Sequence, residues 1–192
     1  MTRFWWVRHA PTHVKAMVGW VDVPADLSDA AQIARLSDYL PQRAIMVASD
    51  LSRASKTADA LAKPDRSRLP DDPTLREINF GVWDGRAFDD VDKEAPVLLR
   101  KYWDQPGDVR PPEGESWNEV CARVNSAADA LAHRYDEMDV IVVAHFGVVL
   151  TQVQRALGIS PLDAFGYKIH NLSVTVTEFD GTWRAGIVNH VP

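Results

Sequence analysis

The chain has 192 residues, 46% hydrophobic and 25% charged, which suits a folded protein with one sizeable core and excludes a fibrous or disordered chain. A formal net charge of -6 opposes a nucleic-acid backbone as partner, yet a few arginines in one cleft could still hold a small anion. The single cysteine, Cys121, excludes an internal disulfide framework and a cysteine zinc cluster.

Phe4 to Val7 is a short apolar run between Arg3 and Arg8, and it reads as a buried strand. It is too short for a signal peptide or a membrane span, so a cytoplasmic protein without a membrane partner is expected. A polar, irregular stretch follows from His9 to Asp26. Ser28 is placed to cap a helix running to Leu40, with Ile33, Leu36 and Leu40 on one face and Pro41 as the stop. Ile45 to Ala48 reads as a second strand. Ser49 or Asp50 would cap the next helix, which carries Leu51, Ala54, Ala58, Leu61 and Ala62 on one stripe. Residues 63–73 form a connection, and a short extended piece leads to Leu75.

Residues 79–115 have a weaker pattern, with a helix over Val97 to Trp103 and a Pro/Gly-rich loop from Gln105 to Glu115. Ser116-Trp117-Asn118-Glu119 is a capping box opening a helix to Tyr135. Val140 to Val143 is the strongest strand of the chain. A helix over Val148 to Leu157 ends at Gly158, and the alternation on both sides of Asp180-Gly181 predicts a β-hairpin. This order predicts one domain over residues 1–192. Its fold class is a three-layer α/β/α sandwich, with a mostly parallel central sheet and an antiparallel edge strand.

Open α/β sheets bind ligands beyond the carboxyl ends of their parallel strands. Arg8 and His9 follow the first strand there, Ser49, Asp50 and Arg53 the second, and His145 and Gly147 the third. Two histidines, two arginines and the N-termini of helices thus meet on one edge. That set suits a dianion with tetrahedral oxygens, because arginine forks grip such oxygens in pairs.

These residues resemble the signatures of the histidine phosphatase superfamily, the phosphoglycerate mutase-like fold. Val7-Arg8-His9-Ala10-Pro11-Thr12 is similar to its Arg-His-Gly-x-Thr motif. Ser49 to Ala58 resembles its second arginine motif, Leu75 to Gly85 its acid-bearing motif, and Gly114-Glu115-Ser116 with Arg123 its Gly-Glu-Ser element. Val143 to Gly147 resembles its second histidine motif, and Asn171 and Ser173 extend the likeness. Ala10 and Phe146 stand where the family more often has glycine, and alanine is costly only if φ is positive there.

The resemblance implies a phosphomonoester hydrolase acting on a small phosphorylated substrate. His9 would be the nucleophile and become phosphohistidine. Arg8, Arg53 and His145 would hold the equatorial oxygens, with Thr12 as a further donor, and Glu77 would be the acid. No cofactor or metal is implied. His13 follows His9 by four residues, but Pro11 breaks any continuous helix between them. Cys121 is expected to be a structural thiol, and Ser116 a helix cap. Trp20, Trp103 and Trp117 fall in or beside loops and could line a substrate pocket, with ordinary packing as the default for each. The same residues would also serve a cofactor-dependent phosphoglycerate mutase, although the insert that grips substrate in that branch is short here, with Arg100-Lys101-Tyr102 resembling its basic element. A non-catalytic phospho-ligand binding protein is the other alternative. The oligomeric state is open.

Overall fold

The strongest apolar run of the sequence lies at the centre of the sheet. The structure is a computed structural model and describes residues 1–192. Strands β1 (Thr2–Arg8), β2 (Ala44–Ala48), β3 (Arg66–Arg68) and β4 (Asp139–Ala144) are parallel in the order β3-β2-β4-β1. β5 (Val174–Phe179) runs antiparallel to β1, and β6 (Trp183–Ala185) closes that edge as the second arm of a hairpin. The antiparallel edge therefore has two strands.

Side-chain alternation along the central strands supplies two separate cores, one per face. On one face Phe4, Trp6, Val140 and Val142 pack against helices α5 (Trp117–Arg134) and α6 (Phe146–Leu157). On the other, Val7, Met46, Ile141 and Val143 meet Leu36 and Leu40 of helix α1 (Ala30–Tyr39) and its end, together with Ala54 and Ala58 of helix α2 (Ser52–Ala60). Four-residue apolar runs suffice because both faces are covered.

β1 and β4 are neighbours with Arg8 opposite Ala144, yet the chain leaves them on opposite faces, through α1 and through α6. A crevice must open where the connections diverge. His9 and His145 are the first residues beyond those two strand ends.

Local details correct the sequence reading. Asp29, not Ser28, caps α1, accepting from the Gln32 N–H at 2.9 Å. Neither Ser49 nor Asp50 caps α2. Its first N–H, on Ser52, donates to Asp22 from a distant loop at 2.8 Å, while Ser49 turns inward to accept from Leu51. The capping box at Ser116–Glu119 is present with both bonds. The region 79–115 holds two helices, α3 (Phe88–Glu94) and α4 (Pro96–Asp104), of which only the second has an apolar stripe in sequence. α6 begins two residues earlier than its periodicity suggests, and a short helix α7 (Pro161–Phe165) starts at the proline placed after its end. No helix is long and apolar enough to cross a membrane.

Candidate active site

His9 is buried at the end of β1, and its backbone N–H extends the β1–β4 ladder to Ala144 O at 3.0 Å. Its ring Nδ1 lies 2.7 Å from the carbonyl of Ala10. A carbonyl oxygen only accepts, so Nδ1 carries the proton and Nε2 keeps its lone pair in the neutral ring. Burial pushes the His9 pKa down to about 3. The Arg53 and Arg8 cations act in the same direction, and the bond to Ala10 opposes it. The ring is therefore neutral through the physiological range, with Nε2 unprotonated. Asn171 fixes the backbone behind it by donating to His9 O at 2.8 Å.

His145 packs against it with ring centroids 5.2 Å apart. It is fully buried and neither ring nitrogen has a protein partner. Burial, then the neighbouring positive charges, hold its pKa well below the usual histidine value. An incoming anion reverses that balance, because a dianion favours the protonated imidazole.

Arg8 and Arg53 bring their guanidinium groups into the same electrostatic neighbourhood, for both charges act on His9 and on Glu77. Arg8 donates one N–H to Ile169 O at 2.6 Å, keeps a buried Nε without a partner, and lies over the Phe146 ring at 5.4 Å. Arg53 is 1% exposed and donates to the carbonyls of Gly19 at 2.6 Å and Val21 at 3.0 Å. Neither arginine has a salt-bridged carboxylate, so neither positive charge is neutralised by an ion pair.

Glu77 supplies the one buried carboxyl. Burial raises its pKa, against the N–H groups of Ile78 and Gly147 and the two arginines, all of which favour the anion. Its Oε1 accepts from Ile78 N and Gly147 N, each at 3.0 Å. Gly147 has a steric duty as well: a Cβ there would sit 2.5 Å from Glu77 Oε1. Behind Glu77, Arg123 forms a forked pair with Glu115 at 2.7 and 2.8 Å, and donates to the carbonyls of Thr74, Arg76 and Glu77. The segment bearing Glu77 is thus clamped to α5.

The structure brings His9, His145, Arg8, Arg53 and Glu77 together. Thr12 is half-buried and lines the mouth of the cleft with Arg8, His9 and Asn171, around a space of about 420 Å³. His13 lies at the same mouth and pairs with Asp26 at 2.8 Å. Ala10 is fully buried with φ outside the positive region, so its methyl group is accommodated without backbone strain. Cys121 is half-buried, and burial raises its thiol to about 11. Trp117 is core.

Sequence reading misses Thr57 and the steric role of Gly147. The Thr57 hydroxyl donates to Arg53 O at 2.7 Å and accepts from Ala10 N at 3.0 Å, tying the loop after His9 to the helix of Arg53. The spacing of four between Arg53 and Thr57 on one helix is the only signal in sequence that could have found it.

A family model for the histidine phosphatase superfamily (branch 1) matches residues 4–188. The chain belongs to that superfamily. Among curated relatives of this histidine phosphatase is the bifunctional protein Rv2228c of Mycobacterium tuberculosis, 30% identical over 163 residues, 82% of this chain. The chain spans only 44% of the length of that relative. Shigella boydii has a protein named probable phosphoglycerate mutase GpmB, 27% identical, with 96% of this chain and 89% of that one covered. Among solved structures, mycobacterial glucosyl-3-phosphoglycerate phosphatase Rv2419c in complex with VO3 superposes with a TM-score of 0.85 at 25% identity, covering 97% of this chain and 98% of that one. The phosphoglycerate mutase-like fold follows from the model match and the sheet topology together.

Proposed function

We propose that this histidine phosphatase hydrolyses the phosphomonoester of a small phosphorylated metabolite through a phosphohistidine formed on His9. The observation that carries the reading is the juxtaposition of a neutral His9, its Nδ1 proton committed to Ala10, with a buried Glu77 whose pKa is raised.

The lone pair of His9 Nε2 attacks phosphorus, and the bond from phosphorus to the ester oxygen breaks. The departing alkoxide takes the proton of Glu77. Arg8, Arg53 and His145 stabilise the charge on the three equatorial oxygens, where a loose transition state spreads it. Water then attacks the phosphohistidine. Its proton goes to the Glu77 carboxylate, the P–N bond breaks, and inorganic phosphate leaves with His9 and Glu77 restored. These groups supply the positive field themselves, so a chelator is expected to leave the rate unchanged.

Similarity to the GpmB protein supports a second reading, in which the phosphoryl group returns to another hydroxyl of the substrate. The insert favours hydrolysis: α3 and α4 are only 7 and 9 residues long, and so short a cover admits water readily. The name of the Rv2419c neighbour points to phosphorylated glycerate or sugar derivatives as the substrate class. We further propose that residues 1–192 act as one such domain, and that the lone free cysteine suits the reducing cytoplasm.

The test is turnover of aryl and alkyl phosphate esters at mildly acidic pH. His9→Ala is expected to abolish phosphoenzyme labelling. Glu77→Gln is expected to slow alkyl esters about 100-fold or more, and esters with good leaving groups far less. Phosphate release by His9→Ala at the wild-type rate would overturn the nucleophile. Phosphoglycerate isomerisation outpacing hydrolysis, with bisphosphoglycerate present, would establish the mutase instead.

A further inference from the structure

Residues Gly19, Trp20 and Val21 form a strap between Arg53 and the Glu77–Ile78 segment, outside every motif used so far. Arg53 grips its two outer carbonyls, as described above. Asp84 gathers its three N–H groups, from Gly19 at 2.8 Å, Trp20 at 2.6 Å and Val21 at 3.1 Å. The strap lies directly on the segment that carries the acid: a Cβ on Gly19 would stand 2.2 Å from Ile78 O.

Trp20 is 37% exposed, yet its indole is fixed at both ends. Nε1 donates to Glu77 O at 2.8 Å. The Arg76 guanidinium covers the ring at 4.9 Å and is itself held by both oxygens of Asp50, at 2.7 and 2.5 Å.

The carbonyl of Glu77 and the N–H of Ile78 belong to one peptide unit. That unit is planar, so fixing its oxygen fixes its N–H. The oxygen is held by Trp20 and Arg123, each at 2.8 Å, and the N–H holds the Glu77 carboxyl at 3.0 Å. A twist of the plane would swing the N–H away from the carboxyl. We infer that Trp20 is a positioning residue for the Glu77 carboxyl, acting through the Glu77–Ile78 peptide plane from the strap that Arg53 grips. The inference rests on the reading of Glu77 as the proton donor.

Trp20→Phe keeps a ring beneath Arg76 and removes only the N–H; Trp20→Tyr is the second variant, should the first fold poorly. Both are compared with wild type, Glu77→Gln and the double variant, on an alkyl and a nitrophenyl phosphate. Trp20→Phe is expected to lower kcat on the alkyl ester about 10-fold, with a several-fold smaller loss on the nitrophenyl ester, because displacement of a catalytic group is felt where its proton is needed. Freed from the Ile78 N–H, the carboxyl holds its proton more tightly, so the alkaline limb of kcat is expected to move up by about half a pH unit. In the Glu77→Gln background Trp20→Phe is expected to cost nothing further, since it acts through the missing carboxyl.

Equal losses on both esters with an unmoved alkaline limb would overturn the inference, as would a full Trp20→Phe loss in the Glu77→Gln background. If Glu77→Gln loses alkyl esters selectively and Trp20→Phe does not, the inference alone fails. If Glu77→Gln itself slows both esters equally, the acid role fails and the inference with it.

Discussion

Gly147→Ala separates steric from chemical demands at Glu77. The new Cβ would lie 2.5 Å from Glu77 Oε1 and 2.8 and 2.9 Å from two side-chain carbons of Ile78, where ordinary contact begins at 3.4 Å. The carboxyl cannot stay where it is: it must retreat by about 1 Å, and a displacement of that size costs on the order of 100-fold in a step that needs the group. Ile78 is 3% exposed and has little room to give. Overpacking costs about 1–3 kcal/mol, while alanine in the first turn of α6 recovers up to about 1 kcal/mol of helix propensity. The net loss of stability is therefore expected to be modest, about 0–2 kcal/mol by denaturant titration. Activity on alkyl phosphates should fall by one to two orders of magnitude, and that on nitrophenyl phosphate much less. The informative assay is thus the ratio of the two rates in a variant that remains folded. A Gly147→Ala protein with the wild-type ratio would refute the assignment of Glu77, because no arrangement leaves the carboxyl in place beside that methyl group.

Two further outcomes follow from charge and clamping. Unfolded His9 binds a proton at its ordinary value of 6.5, but the folded ring does so only near pH 3, so protons favour unfolding across that window and stability falls as pH drops from 6.5 toward 3. The slope is about 1.4 kcal/mol per pH unit for one such group, and His9→Gln should flatten the acid side of a stability–pH curve; an unchanged curve would show that His9 titrates normally in the folded protein. Arg123→Met leaves the carbonyls of Thr74 and Arg76 without a donor and leaves the Glu115 carboxylate only the Asn79 N–H, so a loss of about 2 kcal/mol in thermal or denaturant unfolding is expected, and less than about 1 kcal/mol would show the clamp to be dispensable.

Much of the site is legible in the sequence because it is built from strand ends. A run such as Val140–Val143 announces its own termination, and a residue just beyond it has only one edge of the sheet to occupy. His9, Arg8, His145 and the neighbourhood of Arg53 follow from that rule, whereas Glu77 sits in irregular chain and was visible only through its surrounding motif. What stays hidden depends on contacts between distant segments. Nothing near Ser52 reveals that Asp22 will receive its N–H, so the cap of α2 could not be read locally. The indole of Trp20 reaches a carbonyl 57 residues away, which no periodicity encodes. Helix α3 escapes notice because Phe88-Asp89-Asp90-Val91-Asp92-Lys93-Glu94 buries only Val91.

The His9 amide is the last rung of the β1–β4 ladder, and its hydrogen bond to Ala144 O joins the two most deeply covered strands. A rung buried between two core strands opens less readily than a loop contact, so its amide proton is expected to exchange with solvent as slowly as the core of the sheet. Heat should therefore silence the enzyme and melt the sheet at the same temperature, with no window in which a folded but inactive form accumulates. The chain beyond that rung depends on single side chains instead, Asn171 at His9 O and Thr57 at Ala10 N, so the loops at the cleft mouth can vary in sequence only where those two contacts are spared.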